Sequence, residues 1–539
     1  DRKRLVEVAI GRGRFQDAIY HLDEHLIDHD LVSRIVDSHL DATPIAADPD
    51  TAELLELKGI CEAGLGDYGP AEETFQAALK VDPNRVQTVE SLAAVRVHPQ
   101  RPRREFGQAI SDLDWAVDNH PERYEAFLIR GQFYDRHRDE PAVLVSIAGD
   151  ELTDDVVRIS ILHQQIHDDA RRALELALPE FEPTTTNLVD AEKAAEAAEE
   201  HLARLTASDN PDADDLAQAS GELREARDTL SSAEQSLGQL QAIKMFAATA
   251  ALGVRQFALA DRLAQELIES DIKSSTPYVI RADVAIRHDD DPKSAIQHLS
   301  AGLERFPKAE DLLWILASVR ISENEFEAAE LLIARLKKQD GMEPLIRFLR
   351  ARIDVQVRNW QSARNLLEDV RDELEQWPGI AKNADLLLGH CFGQLRMVDK
   401  QIESYERAKR ADLAWKEPRL GLAAAYSSRD DYDLAYKEYR ELEHMFGVSL
   451  LEGLQFAHTF IEMNFKADGA RQQRGWVEVE KLLGRINERI DELTTDGDSD
   501  LADQQQALKM AHSVLFAEVQ LAKGQPDEAR RTLLNIRDA

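Results

Sequence analysis

The sequence predicts an all-α fold made of stacked helix–turn–helix repeats. Its 539 residues are several times the length of a usual single domain, so the chain either divides into domains or repeats a unit. Glycine and proline are sparse, with 25 and 18 residues, whereas alanine, leucine, glutamate and arginine, which favour helices, fill long stretches. Apolar residues, 43% of the chain, recur at helical spacing within a unit that repeats.

The clearest repeat lies between Ala52 and Arg85. Small residues stand where two helices would cross closely, Gly66 and Asp67 form the turn between them, and a proline ends the second helix. The matching positions predict a unit of about 34 residues that contains two helices. These positions are Leu55, Gly59, Gly66, Tyr68, Ala71, Phe75, Ala78, Leu79 and Pro83.

The same pattern recurs along the chain with fewer matches in each unit. Further units start near residues 276, 310, 344, 382 and 416. In all, about eleven or twelve units fill roughly four fifths of the chain. The pattern closely resembles the tetratricopeptide repeat family, and the resemblance implies a right-handed superhelical solenoid that binds other proteins. A helical repeat of longer period is the alternative, which the turn at Gly66 and the spacing of about 34 residues disfavour.

Two interruptions divide the predicted solenoid. N-terminal repeats occupy residues 1–183 and include an extended unit at 139–168. An antiparallel coiled-coil hairpin is inserted at 184–240, regular repeats follow at 241–447, and divergent repeats occupy 448–539. Because stacked repeats need capped ends for solubility, we expect the chain to be an excised segment of a longer protein.

Two apolar stripes predict the inserted hairpin. In its second helix Leu216, Leu223, Leu230 and Leu237 recur every seven residues. The first helix has a complementary stripe, so the two helices would form a coiled coil. Such an arm either binds a partner or a second copy of the chain, or packs on the solenoid as a spacer, and both interpretations stay open. The complementary stripe is Leu188, Ala191, Ala195, Ala198, Leu202 and Leu205.

Charge and motifs exclude several classes of function. The formal net charge of −36 would repel a phosphate backbone, so we expect no nucleic-acid partner. No apolar run is long enough for direct membrane insertion. The sequence has no phosphate loop, nucleophile elbow, zinc motif or dinucleotide turn. We therefore expect no catalytic residue, no cofactor, no metal ligand and no enzymatic activity.

Three weaker features have ordinary explanations. His21, His25 and His29 could ligate zinc, although a charged helix face gives the same spacing. The basic segment 96–104 could touch an acidic partner or lipid headgroups, but a solvated loop is the commoner explanation. The two cysteines are 330 positions apart, which excludes a disulfide framework and leaves the compartment, cytoplasmic or periplasmic, open.

The binding surface is expected on the first helix of each repeat. In tetratricopeptide solenoids that helix lines the concave face and ligands lie there, an implication that rests on the resemblance. The groove positions are mostly apolar and lack the Lys/Asn/Arg set with which some members grip a C-terminal carboxylate. They suit an amphipathic helix or extended apolar segment, unless a tight superhelix buries them against neighbouring repeats. The predicted partner-binding residues are Met245, Ile280, Arg287, Trp314, Phe348, Arg352 and His390.

The predicted function is a non-enzymatic protein–protein interaction scaffold within a multiprotein assembly. The alternative is a regulatory or substrate-recruiting region of a longer enzyme whose catalytic domain lies outside this segment. The basic residues that follow Asp1 precede the first apolar helix positions and suggest an N-terminal membrane anchor before them. An ordinary basic helix start is the alternative to the anchor.

Overall fold

Paired helices follow one another along the computed structural model, which confirms the predicted all-α repeat fold. Within the described residues there is no strand. The contacts separate unit 1, Asp1–Pro307, from unit 2, Lys308–Ala539. The structure describes residues 2–25, 49–149, 155–186, 188–207, 212–339, 341–413, 415–467, 469–493 and 499–538.

The described part of unit 1 consists of helices that pack mostly as sequential pairs. In chain order they are α1 (Arg2–Gly11), α2 (Phe15–His25), α3 (Pro49–Leu65), α4 (Tyr68–Val81), α5 (Val86–Arg96), α6 (Phe106–Asn119), α7 (Tyr124–Arg136), α8 (Pro141–Ala148), α9 (Asp155–Thr186), α10 (Leu188–Thr206), α11 (Ala213–Gly253), α12 (Phe257–Glu269), α13 (Thr276–Arg287) and α14 (Pro292–Arg305).

Unit 2 is more regular, because each odd-numbered helix packs against the even-numbered helix that follows it. A short 3₁₀ helix, Glu373–Gln376, lies between the second and third pairs. The α-helices are α15 (Glu310–Ser322), α16 (Phe326–Leu336), α17 (Glu343–Gln356), α18 (Trp360–Val370), α19 (Pro378–Gln394), α20 (Val398–Ala411), α21 (Lys416–Ser428), α22 (Tyr432–Phe446), α23 (Leu450–Phe465), α24 (Gly469–Asp491), α25 (Ser499–Ala522) and α26 (Pro526–Asp538).

The turns between paired helices share a residue in the left-handed conformation. Gly66 has φ 87° and Arg358 has φ 62°, each two positions before the second helix of its pair. The following N–H closes the turn, as when Asn359 N donates to the carbonyl oxygen of Asp354 at 2.7 Å. This Schellman-type bond ends the first helix and starts the second. The same left-handed position is occupied by Gly13, Arg255, Asp290, Asn324, Arg396, Asp430 and Gly524.

Substitution at this turn position is expected to change stability in opposite directions at two sites. Arg358→Gly removes the steric cost of a side chain at positive φ and should stabilise the chain by about 0.5–1 kcal/mol. Gly66→Ala should destabilise it by about 1 kcal/mol, since a methyl group at Gly66 would meet no atom within 4 Å and only backbone strain remains. Calorimetry of the full chain measures both, and shifts of the same sign would contradict this account.

Glycines that face aromatic rings mark the closest approaches between helices. A Cβ atom at Gly59 would lie 2.7 Å from the ring of Phe75, which is 1% exposed. In unit 2 the ring of Tyr405 lies between Gly389 on α19 and Gly421 on α21. The small residues of the repeat are therefore the positions at which an aromatic ring from one helix packs against the backbone of another.

The long helix α9 fills the first interruption of the repeats. It packs against α7 and α11, and its inner residues belong to the main core of unit 1. Arg130 on α7 binds Asp169 on α9 at two points, with Nε–Oδ2 2.9 Å and Nη2–Oδ1 2.6 Å. Because Asp169 is 2% exposed, this bidentate pair fixes the two helices relative to each other. The helix continues to Thr186, past the boundary predicted at residue 184.

Helices α10 and α11 pack against each other where the sequence predicts a coiled-coil hairpin. They are antiparallel, and Nδ1 of His201 on α10 lies 3.3 Å from Oε2 of Glu222 on α11. α11 continues to Gly253 as the first helix of the next repeat. The coiled-coil geometry and self-association through this pair stay predictions. The buried residues of the two predicted stripes are Ala191, Ala195 and Leu223, and Ala219 and Ala233 on α11 are buried as well.

Leu223→Asp is expected to separate α10 from α11 while the repeats remain folded. Leu223 is 8% exposed, and the described core of unit 1 reaches α11 only from Leu240 onwards. A buried unpaired carboxylate is costly, so the local helix pair should open. Hydrogen exchange resolved by peptide measures the loss of protection, with the exposed Gln218→Asp as the control. If Leu223→Asp unfolds the whole chain, the pair is part of the core.

Candidate protein-binding face

The first helices of successive repeats lie closer together than the second helices do. In unit 2, α15 packs against α17, α17 against α19, α19 against α21, and α23 against α25. In the described part of unit 2, the second helices of successive repeats form no comparable packed pairs. The helices that crowd together in a curved stack lie on its inner side. We call the surface formed by the first helices of each unit its inner face.

The three predicted residues in unit 1 have different surroundings. Ile280 on α13 is 3% exposed and belongs to the core, and Met245 on α11 is half-buried against the same core. Arg287 is exposed; it pairs with Asp283 at 2.9 Å, and its guanidinium carbon lies 5.7 Å from the centre of the Phe257 ring. Of the three, Arg287 offers the most surface to a partner.

In unit 2, Trp314 and Phe348 are neighbouring rings on α15 and α17. Their centroids are 5.6 Å apart and their planes are tilted by 42°. Trp314 is half-buried, whereas Phe348 is only 2% exposed. A partner lying on the inner face would therefore touch Trp314 but not Phe348, and Phe348→Ala should lower stability rather than affinity alone.

Arg352 is a half-buried cation on α17. Its Nη2 donates to the carbonyl oxygen of Ser318 at 3.3 Å and to Oγ of Ser322 at 3.1 Å, both on α15. Desolvation lowers the pKa of this guanidinium, and no carboxylate among the described residues pairs with it. Arg352 therefore braces two successive first helices and still lacks the anionic partner that a desolvated arginine favours.

His390 lies on the first helix of the next repeat, α19. It is exposed and meets the ring of Trp360 edge-on, with centroids 5.1 Å apart. Surrounding protein desolvates the imidazole and lowers its pKa. A side chain that reaches solvent and is still desolvated is expected on the inner side of a curved surface. At neutral pH His390 is therefore a neutral group that can donate or accept a hydrogen bond.

A hollow of 580 Å³ opens among α21, α23 and α25, and sequence reasoning missed it. Leu454, Leu515 and Val514 contribute apolar surface, and Val514 is 44% exposed. His458 and Glu518 also line the hollow. Burial raises the pKa of the Glu518 carboxyl; nearby His458 opposes this effect and Glu462 adds to it. The hollow joins exposed apolar surface to a desolvated carboxylate.

Spacing along two helices could have indicated this hollow. Gln455, His458, Thr459 and Glu462 stand at positions i, i+3, i+4 and i+7 of α23, and therefore share one face. Ala511, Val514, Leu515 and Glu518 have the same spacing on α25. The repeats in this part of the chain match the family pattern weakly, so the sequence alone does not align their first helices.

The basic segment 96–104 forms ion pairs within the chain. Arg96 is 4% exposed, pairs with Glu72 at 3.0 Å and also pairs with Asp112. Arg101 binds the same Glu72 at 2.8 Å. These arginines hold α4, α5 and α6 together, so an acidic partner or lipid headgroup is not needed to explain the basic run.

Both cysteines lie in the described part of the chain and are buried, whereas the weak zinc candidate lies only partly within it. No group of three His, Cys, Asp or Glu residues there is placed to hold a metal ion, and His29 of the weak zinc candidate lies outside the described residues. Burial raises the pKa of the Cys61 and Cys391 thiols to about 11, so both are protonated at neutral pH. Among the described helices, none combines the length and apolar character needed to cross a bilayer.

Comparisons with known proteins agree with the repeat pattern. Two family models, both described as tetratricopeptide repeat, match residues 52–85 and 287–353. No curated protein matches the chain.

Solved structures with similar folds have low overall agreement. The match to yeast Tom70 has 12% identity, covers 88% of this chain and 99% of that chain, and has a TM-score of 0.36. The match to the APC/C hetero-tetramer Cut9–Hcn1 has 12% identity, covers 84% and 89%, and has a TM-score of 0.36. A tetratricopeptide repeat protein from Parabacteroides merdae matches with 14% identity, coverage of 50% and 93%, and a TM-score of 0.29.

The identification rests on the repeat itself. One family match spans the unit in which Gly59, Gly66, Phe75 and Pro83 were recognised, and the paired helices there have the expected turn and ring-to-glycine contact. The chain contains tetratricopeptide repeats, which the family models place at residues 52–85 and 287–353.

Proposed function

We propose that the inner face of unit 2 binds a segment of a partner protein, either an amphipathic helix or an extended apolar stretch. The tetratricopeptide repeat is typically a non-catalytic interaction scaffold, and that coarse function applies to this chain. In the proposal, the chain organises partners in an assembly. A regulatory region of a longer enzyme would use the same face, so the proposal applies to that alternative as well.

One observation supports this proposal most strongly. Arg352 on the inner face is partly desolvated, reaches only two oxygen atoms of α15, and has no carboxylate partner among the described residues. Burial of a cation without an anion is unfavourable in the free protein. A bound segment that supplies hydrogen-bond acceptors or a carboxylate would offset that cost. Trp314, which is half-buried, lies on the neighbouring helix and provides an aromatic contact.

The self-packing alternative accounts for only part of this face. It explains Phe348, which is 2% exposed beneath the surface. It does not explain the accessible His390 or the remaining donor groups of Arg352. In the proposal, the buried residues stabilise the packing of the first helices, and the accessible residues contact the partner.

Peptides selected from a helical display library on the full chain provide a test. Trp314→Ala should weaken the selected peptides by more than about 1 kcal/mol, as loss of an aromatic anchor does. Arg352→Ala and His390→Ala should weaken them as well, measured by fluorescence anisotropy. Matched controls are Arg410→Ala and His444→Ala, which remove exposed side chains from the second helices α20 and α22.

The proposal fails if the control variants weaken binding as much as the inner-face variants do. It also fails if affinity falls only when circular dichroism reports loss of helix, because the residues would then act on folding. Retained helicity with selective loss of affinity at the inner face is the expected result.

A further inference from the structure

We propose that the hollow among α21, α23 and α25 takes an apolar side chain flanked by lysine or arginine, so that the segment bound there is a basic amphipathic helix. This inference rests on the proposed function and adds the chemistry of the partner at one end of unit 2.

The shape and apolar lining of the hollow suit an apolar side chain. Its 580 Å³ is large enough for one or two bulky side chains, and three successive first helices line it. Leu454 is 5% exposed and forms part of the packed floor, whereas Val514 is 44% exposed. An apolar side chain that enters the hollow would therefore cover Val514 and gain hydrophobic stabilisation.

Two carboxylates at or near the hollow have no lysine or arginine partner among the described residues. Glu518 lines the hollow, and Glu462 lies close enough to raise the pKa of the Glu518 carboxyl. Both are half-buried, and neither forms an ion pair with a lysine or arginine among the described residues. The one nearby group that favours ionised Glu518 is His458. Two carboxylates that repel each other on a partly desolvated surface are stabilised by an added cation.

Charge complementarity therefore commits the hollow to one class of occupant. An acidic segment would bring further negative charge to Glu518 and Glu462, and a neutral apolar segment would leave them uncompensated. A lysine or arginine beside the inserted apolar side chain offsets their repulsion. On a helix, apolar residues at i, i+3, i+4 and i+7 with basic residues between them provide this arrangement.

Three synthetic peptides test the inference on the full chain. Each has about 18 residues and the same leucine positions, with the other positions filled by lysine and alanine, glutamine and alanine, or glutamate and alanine. Fluorescence anisotropy should give the tightest binding for the lysine peptide and the weakest for the glutamate peptide. The affinity of the lysine peptide should fall as sodium chloride is added.

Carboxylate variants locate the effect. The double variant Glu462→Gln with Glu518→Gln should weaken the lysine peptide by about tenfold and change the glutamine peptide by less than about twofold. Glu488→Gln with Glu492→Gln, which removes two exposed carboxylates at the end of α24, is the control for overall charge. Val514→Asp should weaken the glutamine peptide, because it places a charge on the apolar wall. The melting temperature of each variant shows that the chain remains folded.

If the control pair Glu488→Gln with Glu492→Gln weakens the lysine peptide as much as Glu462→Gln with Glu518→Gln does, only the overall negative charge attracts the peptide, and the inference is overturned. If the glutamine peptide binds as tightly as the lysine peptide and Val514→Asp weakens both, the proposed function stands while the inferred basic chemistry is wrong. If none of the peptides binds at the hollow while library peptides bind at Arg352, the hollow is not a docking site.

Discussion

Asp385→Ala is expected to destabilise unit 2 by about 3 kcal/mol, because it leaves two arginines without their shared buried partner. Asp385 is 1% exposed on α19. Its oxygens accept hydrogen bonds from Nη2 of Arg371 at 2.8 Å and from Nε of Arg407 at 2.9 Å. These bonds join the residue that follows α18 to both α19 and α20. The hydrogen bond to Asp385 is also the main cause that raises the pKa of Arg371.

Urea denaturation followed by circular dichroism measures this effect, and hydrogen exchange locates it to α19 and α20. The control is Glu403→Ala, which removes a second carboxylate partner of Arg407 at 3.0 Å. The side chain of Glu403 is 68% exposed, so its loss should cost less than about 1 kcal/mol. Equal losses in the two variants would show that burial of Asp385 adds nothing.

The repeat could be predicted from the sequence because its signals are local. A left-handed glycine at Gly66 and a ring at Phe75 opposite Gly59 occur at fixed separations within one helix pair. In other repeats the same turn uses residues such as Arg358 or Asp430, which have positive φ without being glycine. Sequence comparison finds fewer matches there, although the backbone conformation is the same.

The exposure of an individual side chain on the first helices could not be predicted from the sequence in the same way. Trp314 and Phe348 occupy equivalent positions on successive first helices, yet one is half-buried and the other is 2% exposed. The difference depends on how the neighbouring repeats pack, which spacing along one helix does not determine. The same limit applies to Asp385, whose carboxylate is indistinguishable in the sequence from many exposed ones until Arg371 and Arg407 are placed beside it.

The hollow at α23 and α25 is a further example. Glu518 and His458 are far apart in the chain, and their approach depends on direct packing of two first helices. The helical spacing of each set of residues is visible in the sequence. How the two helices align against each other depends on tertiary packing, which the spacing along one helix does not determine. The composition predicts only that the chain is acidic.

Tyr405→Ala is expected to destabilise unit 2 by about 3–5 kcal/mol, the usual cost of removing a buried aromatic side chain. Tyr405 is 6% exposed, and its ring lies between Gly389 and Gly421 on the first helices of two successive repeats. Removal of the ring leaves a cavity between α19, α20 and α21 that the backbone at the two glycines cannot fill. The loss should reach both repeats, because stability in a solenoid depends on contacts between neighbours.

Alanine substitutions at glycines separate ring packing from helix propensity. A Cβ atom at Gly421 would lie 2.5 Å from Cε2 of Tyr405, so Gly421→Ala should destabilise the chain by about 1–3 kcal/mol. Gly484 lies inside α24 and has no atom within 4 Å of the added methyl group. Gly484→Ala should therefore stabilise the chain by about 0.5–1 kcal/mol through helix propensity alone. Calorimetric transitions that move in the same direction for both variants would contradict the packing of Tyr405 against these glycines.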